Sequence, residues 1–265
     1  MQDKLPLNPQ GFPGLSWDLA LNTAVSFLTN TNWQSYGGET TMSHFSQMVA
    51  LTYQNFVSAA VGIAVCAAVV RGIARNESSS IGNFWSDLVR ITLYVLLPLS
   101  IIGALIMLWQ GMVQNFDAGV TATTLEGGKQ FIATGPVASQ IAIKLLGTNG
   151  GGFFGANSST PFENPTVISN MVEMISMMLL PGSCVVTFGL MLHDRKDGKK
   201  PLFGRQGAVI FGAMAIIFLI GLAVCFSAER AGNPVVGAMG LSQDMGSMEG
   251  KETRFGMEQS AFHPQ

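Results

Sequence analysis

The sequence predicts an all-α polytopic membrane protein with about four transmembrane helices and two re-entrant pore-helix/filter segments. Three observations predict it. Charged residues make up 11% of the 265 positions and hydrophobic ones 48%, where a soluble domain carries roughly 25% charged residues. Four apolar stretches are long enough to cross a bilayer core, which takes about 20 residues. Two shorter apolar stretches run into strips of Gly, Asn and Thr that carry no charge.

The same composition excludes other classes. A disordered chain needs low hydrophobicity and high charge, the reverse of what is found. The net charge is -2 and no basic block occurs, so nucleic acid has no footing. The lipid bilayer is the partner that this composition implies. Cys66, Cys184 and Cys225 are far apart, each in an apolar run, which suits packing rather than a disulfide framework or a zinc site.

The first pore unit is expected over 1–75. Residues 1–16 hold Pro6, Pro9 and Pro13 without a basic start or an apolar core, unlike a signal peptide. A short helix over 19–28 follows, with Ser16 as a plausible N-cap and Asp18 in its first turn. A largely apolar run of ten residues suits a re-entrant or buried helix, not a span. The strip 29–38 comes next, then the first span, 45–70. His44 is expected at its outer, interfacial end.

The second unit is expected over 76–205. Its spans are 91–109 and 174–192, with Pro98 and Pro181 inside them; neighbouring helices re-satisfy the freed backbone groups. Between them lies a second short helix, 137–146, opened by Pro136 at a first helical position and followed by the strip 147–155. Lys144 in this helix is expected to snorkel outward, because a lysine facing the strip would repel a cation. Met171, Met174, Met177 and Met178 read as packing. Glu173 is either an interfacial carboxylate or a residue of an ion path. A third unit begins over 206–256 with the span 207–228, and 257–265 is a tail.

Arg71, Arg75 and Arg90 lie between the first two spans, and five basic residues fall within 193–205. The long loop 111–163 holds only Lys129 and Lys144. The positive-inside rule places 71–90 and 193–205 in the cytoplasm, so both short helices and strips enter from outside. This yields an internal repeat of short helix, strip and span with a period near 117. Thr31-Asn32 then falls opposite Thr148-Asn149, and Tyr36 opposite Phe153. Such a repeat is the architecture of a cation-channel subunit.

The strips carry the chemistry. Each follows a helix C-terminus, which bears about half a negative elementary charge. Non-helical backbone at membrane depth lines protein or a watery cavity, and its carbonyls can replace an ion's hydration shell. Gly150, Gly151 and Gly152 permit the dihedrals that aim carbonyls inward. A divalent ion would want carboxylates; neutral oxygens suit potassium or another weakly hydrated monovalent ion. The candidate ion ligands are Thr31, Asn32, Trp33, Gln34 and Ser35 in the first strip. In the second they are Thr148, Asn149, Gly150, Gly151, Gly152 and Phe153, with aromatics packed behind. No Walker A pattern, H-E-x-x-H, G-x-S-x-G or Asp-Lys-Thr-Gly-Thr string occurs, so no ATP site or phosphorylation site is expected on this chain.

Three strings are specific: Thr-Asn-Thr-Asn-Trp-Gln-Ser-Tyr at 29–36, Gly-Thr-Asn-Gly-Gly-Gly-Phe-Phe at 147–154 and Asn-Ser-Ser-Thr-Pro-Phe-Glu-Asn-Pro at 157–165. With them the chain resembles the potassium-binding membrane subunit of the Kdp potassium-transporting P-type ATPase over 5–256, and 257–265 is expected to be a tail outside the family pattern. The resemblance implies a non-catalytic subunit of the bacterial inner membrane that binds potassium from outside. It implies ATP hydrolysis on a P-type ATPase catalytic subunit, with small accessory membrane subunits as further partners. Members of that family are about twice as long and carry four strips, so the chain reads as a truncated or fragment product. Two other readings remain: a free-standing homodimeric cation channel, whose two chains supply four strips, and a non-conducting remnant that only binds partners.

Overall fold

A computed structural model describes residues 1–74, 80–192, 204–244, 246–247 and 254–256. The basic segment 193–203 and the tail 257–265 lie outside the described residues. Among the described residues six longer helices dominate: α1 (Trp17–Leu28), α2 (Ser46–Ala74), α3 (Phe84–Trp109), α4 (Val137–Leu146), α5 (Val167–Leu192) and α6 (Arg205–Ala231). Four of them, α2, α3, α5 and α6, are long and apolar enough to cross a membrane. The chain divides into two compact units, 1–181 and 182–265.

Several helices begin earlier than their apolar runs. α3 opens at Phe84 rather than 91, because Asn83 caps it, its Oδ1 accepting from Ser86 N at 3.0 Å. The polar first turn also holds Asp87, which pairs with Arg71 at the end of α2. α5 opens at Val167 rather than 174. Ser169 Oγ accepts from Thr166 N at 2.9 Å and donates to Asn164 Oδ1 at 2.7 Å. Glu173 therefore lies in the second turn of α5, buried, rather than at its start.

Two spans widen locally. α2 starts as a π-helical stretch, Ser46–Thr52, in which Thr52 Oγ1 reaches back to Gln47 O at 2.9 Å. α3 carries another, Thr92–Leu96, just before Pro98. Proline has no N–H for the carbonyl four residues back, and the wider turn absorbs that loss.

In the first unit α4 is wrapped on every side. Nine of its ten residues are buried, the polar Gln140 and Lys144 among them. Val137, Ala138, Ile141 and Leu145 pack with Met107, Met112, Phe153 and Phe154. Ile143 and Leu146 pack with Ala59, Ala60, Leu96 and Leu180. α1 buries only Thr23 and Phe27, the latter against Met42 and Leu51.

The expected outer loop contains a small antiparallel hairpin, β1 (Gly119–Thr123) with β2 (Lys129–Ala133), in the register Gly119↔Ala133. Val120, Thr121 and Thr123 favour a strand, and Gly127-Gly128 supplies the turn. This element is absent from the all-α expectation.

Within the second unit, α6 approaches the end of α5 through glycines. A Cβ on Gly207 would stand 2.8 Å from Gly189 Cα, and one on Gly189 2.7 Å from Gly207 Cα. Small residues permit this close helix crossing, the usual device of membrane bundles.

Candidate ion-binding site

Both strips leave their helices in the same way. At the end of α1, Thr29 N donates to Val25 O, Asn30 N to Phe27 O and Thr31 N to Ser26 O, at 3.1, 3.3 and 3.0 Å. At the end of α4, Gly147 N donates to Ile143 O, Thr148 N to Leu145 O and Asn149 N to Lys144 O, at 2.9, 2.9 and 3.0 Å. Every donor and acceptor of the first set recurs 118 residues later. The left-handed residues recur too: Asn30 and Asn32 in one strip, Thr148 and Gly150 in the other. The repeat is therefore 118, one more than the sequence spacing suggested. Asn30 is the counterpart of Thr148, Asn32 of Gly150 and Gln34 of Gly152. The helix-terminal hydrogen bonds fix this register; the shared Thr-Asn pair that suggested 117 does not.

The two strips meet. Asn30 Nδ2 donates to Gly147 O at 3.3 Å, and Asn149 Nδ2 to Asn30 O at 2.6 Å. Gly155 N donates to Glu39 Oε2 at 2.9 Å. α2 holds the first strip from behind: Ser58 Oγ donates to Asn30 Oδ1 at 2.8 Å, and Asn32 Nδ2 donates to Asn55 Oδ1. Gly38 meets the second strip so closely that a Cβ there would stand 2.4 Å from Phe153 O. A cleft of ≈ 610 Å³ opens between them. Thr31, Asn32, Trp33, Gln34 and Ser35 line it from the first strip, and Asn149 from the second.

Two opposite charges stand beside the second strip. Glu163 is fully buried. Its Oε1 accepts from Phe154 N at 2.6 Å and its Oε2 from Ser158 N at 2.6 Å, while Gly152 N bonds both oxygens at 3.3 and 3.2 Å. Donors on both oxygens are the surroundings of a carboxylate. Burial pushes the Glu163 carboxyl up; the amides and the nearby Lys144 ammonium pull it back.

Lys144 is also buried, at 1% exposure, and does not snorkel outward as expected. Its Nζ donates to Gln34 Oε1 at 2.9 Å and stands 5.6 Å from the centroid of the Phe27 ring. A Cβ on Gly152 would meet that Nζ at 2.0 Å, so only glycine leaves room for the ammonium. Burial pushes Lys144 down to about 8, opposed by Glu163, which leaves it protonated at neutral pH.

Residues 1–264 match the family model for the potassium-transporting ATPase A subunit. The chain belongs to that family. It is 56% identical over 262 residues to a potassium-transporting ATPase potassium-binding subunit of Nitratidesulfovibrio vulgaris, covering 99% of this chain and 44% of the relative. A subunit of that name from Rhodospirillum centenum is 56% identical over 261 residues, covering 98% and 44%. One from Edwardsiella ictaluri is 54% identical over 262 residues, covering 99% and 45%. The chain thus spans less than half the length of these A subunits. The family match runs through residue 264 and so includes most of the segment 257–265.

The eleven candidate ligands fall into three groups. Thr31, Asn32, Trp33, Gln34, Ser35 and Asn149 line the cleft. Thr148 is exposed, Gly150 half-buried. Gly151, Gly152 and Phe153 are buried, with Glu163 and Ser158 behind Gly151 and Lys144 beside Gly152. The Phe153 ring packs edge-on to Phe154, 5.2 Å between centroids, as an aromatic behind the strip should. Gln34 offers its side-chain oxygen to Lys144, not to the cleft. His44 stands just before α2, 2% exposed, with Nε2 3.0 Å from Asp117 O. Lys144 was expected to point away from the strips, and Glu163 was not among the candidates at all. Its one sequence signal was a lone carboxylate, eleven residues after Gly152, in a stretch of Asn, Ser, Thr and Pro.

Proposed function

We propose that this chain binds potassium ions at the extracytoplasmic side with the neutral oxygens of its two strips. It passes them into the bacterial inner membrane as the channel-like subunit of an ATP-driven potassium import complex. ATP is hydrolysed on a partner P-type ATPase subunit, with small accessory membrane subunits completing the assembly. Each strip forms a re-entrant segment with its short helix.

One observation carries this reading: two strips with the same hydrogen-bond pattern, 118 residues apart, bond to each other beside a cleft that the first strip and Asn149 of the second line. Each follows a helix C-terminus, whose partial negative charge favours a cation. The polar atoms lining the cleft are amide, hydroxyl and backbone groups without a carboxylate, a donor set that suits a weakly hydrated monovalent ion. The names of the relatives point to the same ion.

The test is titration calorimetry of the purified chain in detergent, with potassium against sodium. Saturable heat for potassium and none for sodium is expected. A monodisperse, helical sample that gives no potassium heat would overturn the reading for this chain.

A further inference from the structure

We propose that Glu163 and Lys144 are positioning residues that set ion preference, by fixing the backbone direction of the second strip and the side-chain direction of Gln34. The inference rests on the proposed ion site and adds to it what holds the ligands in place.

The geometry centres on Gly152, where two buried charges meet one residue from two directions. Its N–H is drawn to Glu163, at 3.2 and 3.3 Å from the two carboxylate oxygens. Its Cα side faces Lys144, close enough that a Cβ would stand 2.0 Å from Nζ and 2.8 Å from Gln34 Oε1. A trans peptide points its C=O opposite to its N–H. With the N–H groups of Gly152 and Phe154 turned to Glu163, the carbonyls of Gly151 and Phe153 must turn away from it. The Phe153 carbonyl does so, abutting Gly38 at the end of the first strip. The Gly151 carbonyl is thereby kept off the carboxylate side.

Lys144 performs the matching task on the first strip. Its ammonium takes Gln34 Oε1 at 2.9 Å, so that oxygen is engaged and only the backbone carbonyl of Gln34 remains for an ion. The pair also balances: one positive and one negative charge, each fully enclosed, leave little net field at the strip, and a neutral carbonyl site keeps its preference for a monovalent ion. Opposite buried charges that bond different partners constrain both strips at once, where either alone would leave an uncompensated charge.

Three variants of this chain in detergent test the proposal, with circular dichroism to confirm unchanged helix content. Glu163→Gln retains shape but has one oxygen, so an NH2 group faces either Phe154 N–H or Ser158 N–H. Amide exchange in the absence of potassium should speed up there by roughly tenfold to a hundredfold. The preference for potassium over sodium, read by calorimetry, should fall by roughly tenfold. Lys144→Met should also lower the preference, and Gln34→Met added to it should change little further, because the two act through one contact. Unchanged exchange in Glu163→Gln overturns the proposal. So does faster exchange with unaltered ion preference, which would leave Glu163 a structural residue only. If the unsubstituted chain gave no potassium heat, the proposed function would fall separately, and exchange rates alone would decide the positioning claim.

Discussion

The glycines of the second strip are not equivalent. Gly150 has φ +75° with nothing within 4 Å of a Cβ, whereas Gly152 has φ +140° and a lysine in that space. Gly150→Ala should cost only the left-handed backbone penalty, about 1 kcal/mol. Gly152→Ala adds a collision with Lys144 and Gln34 to a strained dihedral and should cost about 3 kcal/mol or more. Thermal unfolding in detergent measures both, and equal losses would show that the lysine does not occupy the space. Glu163 shows why residue types alone mislead. From the sequence it is one carboxylate in a polar turn; the fold surrounds it with three amides. A run of three glycines announces unusual backbone but not which glycine faces which partner.

Helix identity was legible because hydrophobic periodicity and length depend on local residues. The short helix α4 begins and ends at the residues read from its sequence, Val137 and Leu146. The longer helices extend past their apolar runs where side chains complete the first turn, as Asn83 does for α3. Capping adds polar turns that a hydropathy window does not count. The close crossing of α5 and α6 at Gly189 and Gly207 was visible only as scattered glycines. Leucine at position 207 would force the two helix backbones apart at 2.8 Å. Gly207→Leu should therefore lower stability by about 1–3 kcal/mol, read as a lower midpoint in thermal unfolding. Gly212→Leu, on the same helix with open space around its Cα, should leave the midpoint unchanged.

For the whole molecule, a buried lysine couples folding to pH. Lys144 has its folded value lowered from 10.5 to about 8. Between those values the unfolded chain holds a proton that the folded chain has released, so stability rises with pH across that interval. The rise is on the order of 3 kcal/mol. Below about pH 8 both states are protonated and the contribution is flat. Unfolding midpoints between pH 7.5 and 10.5 should climb for the unsubstituted chain and stay level for Lys144→Met. Parallel profiles would place the lysine in contact with solvent.

Read alone, the amino-acid string establishes that this chain crosses a membrane, where its apolar runs lie, that two short helices feed two uncharged strips, and the family it resembles. These depend on composition, on runs of neighbouring residues and on specific strings, all local in the chain. The folded backbone settles the register of the repeat, because helix-end hydrogen bonds, not matching letters, align the strips at 118. It alone placed Lys144 inward. A charged side chain chooses between interface and interior according to the partners waiting there, and those partners, Gln34 and Glu163, lie 110 and 19 residues away in the chain. Contacts at such separations exist only once the strips have been folded together.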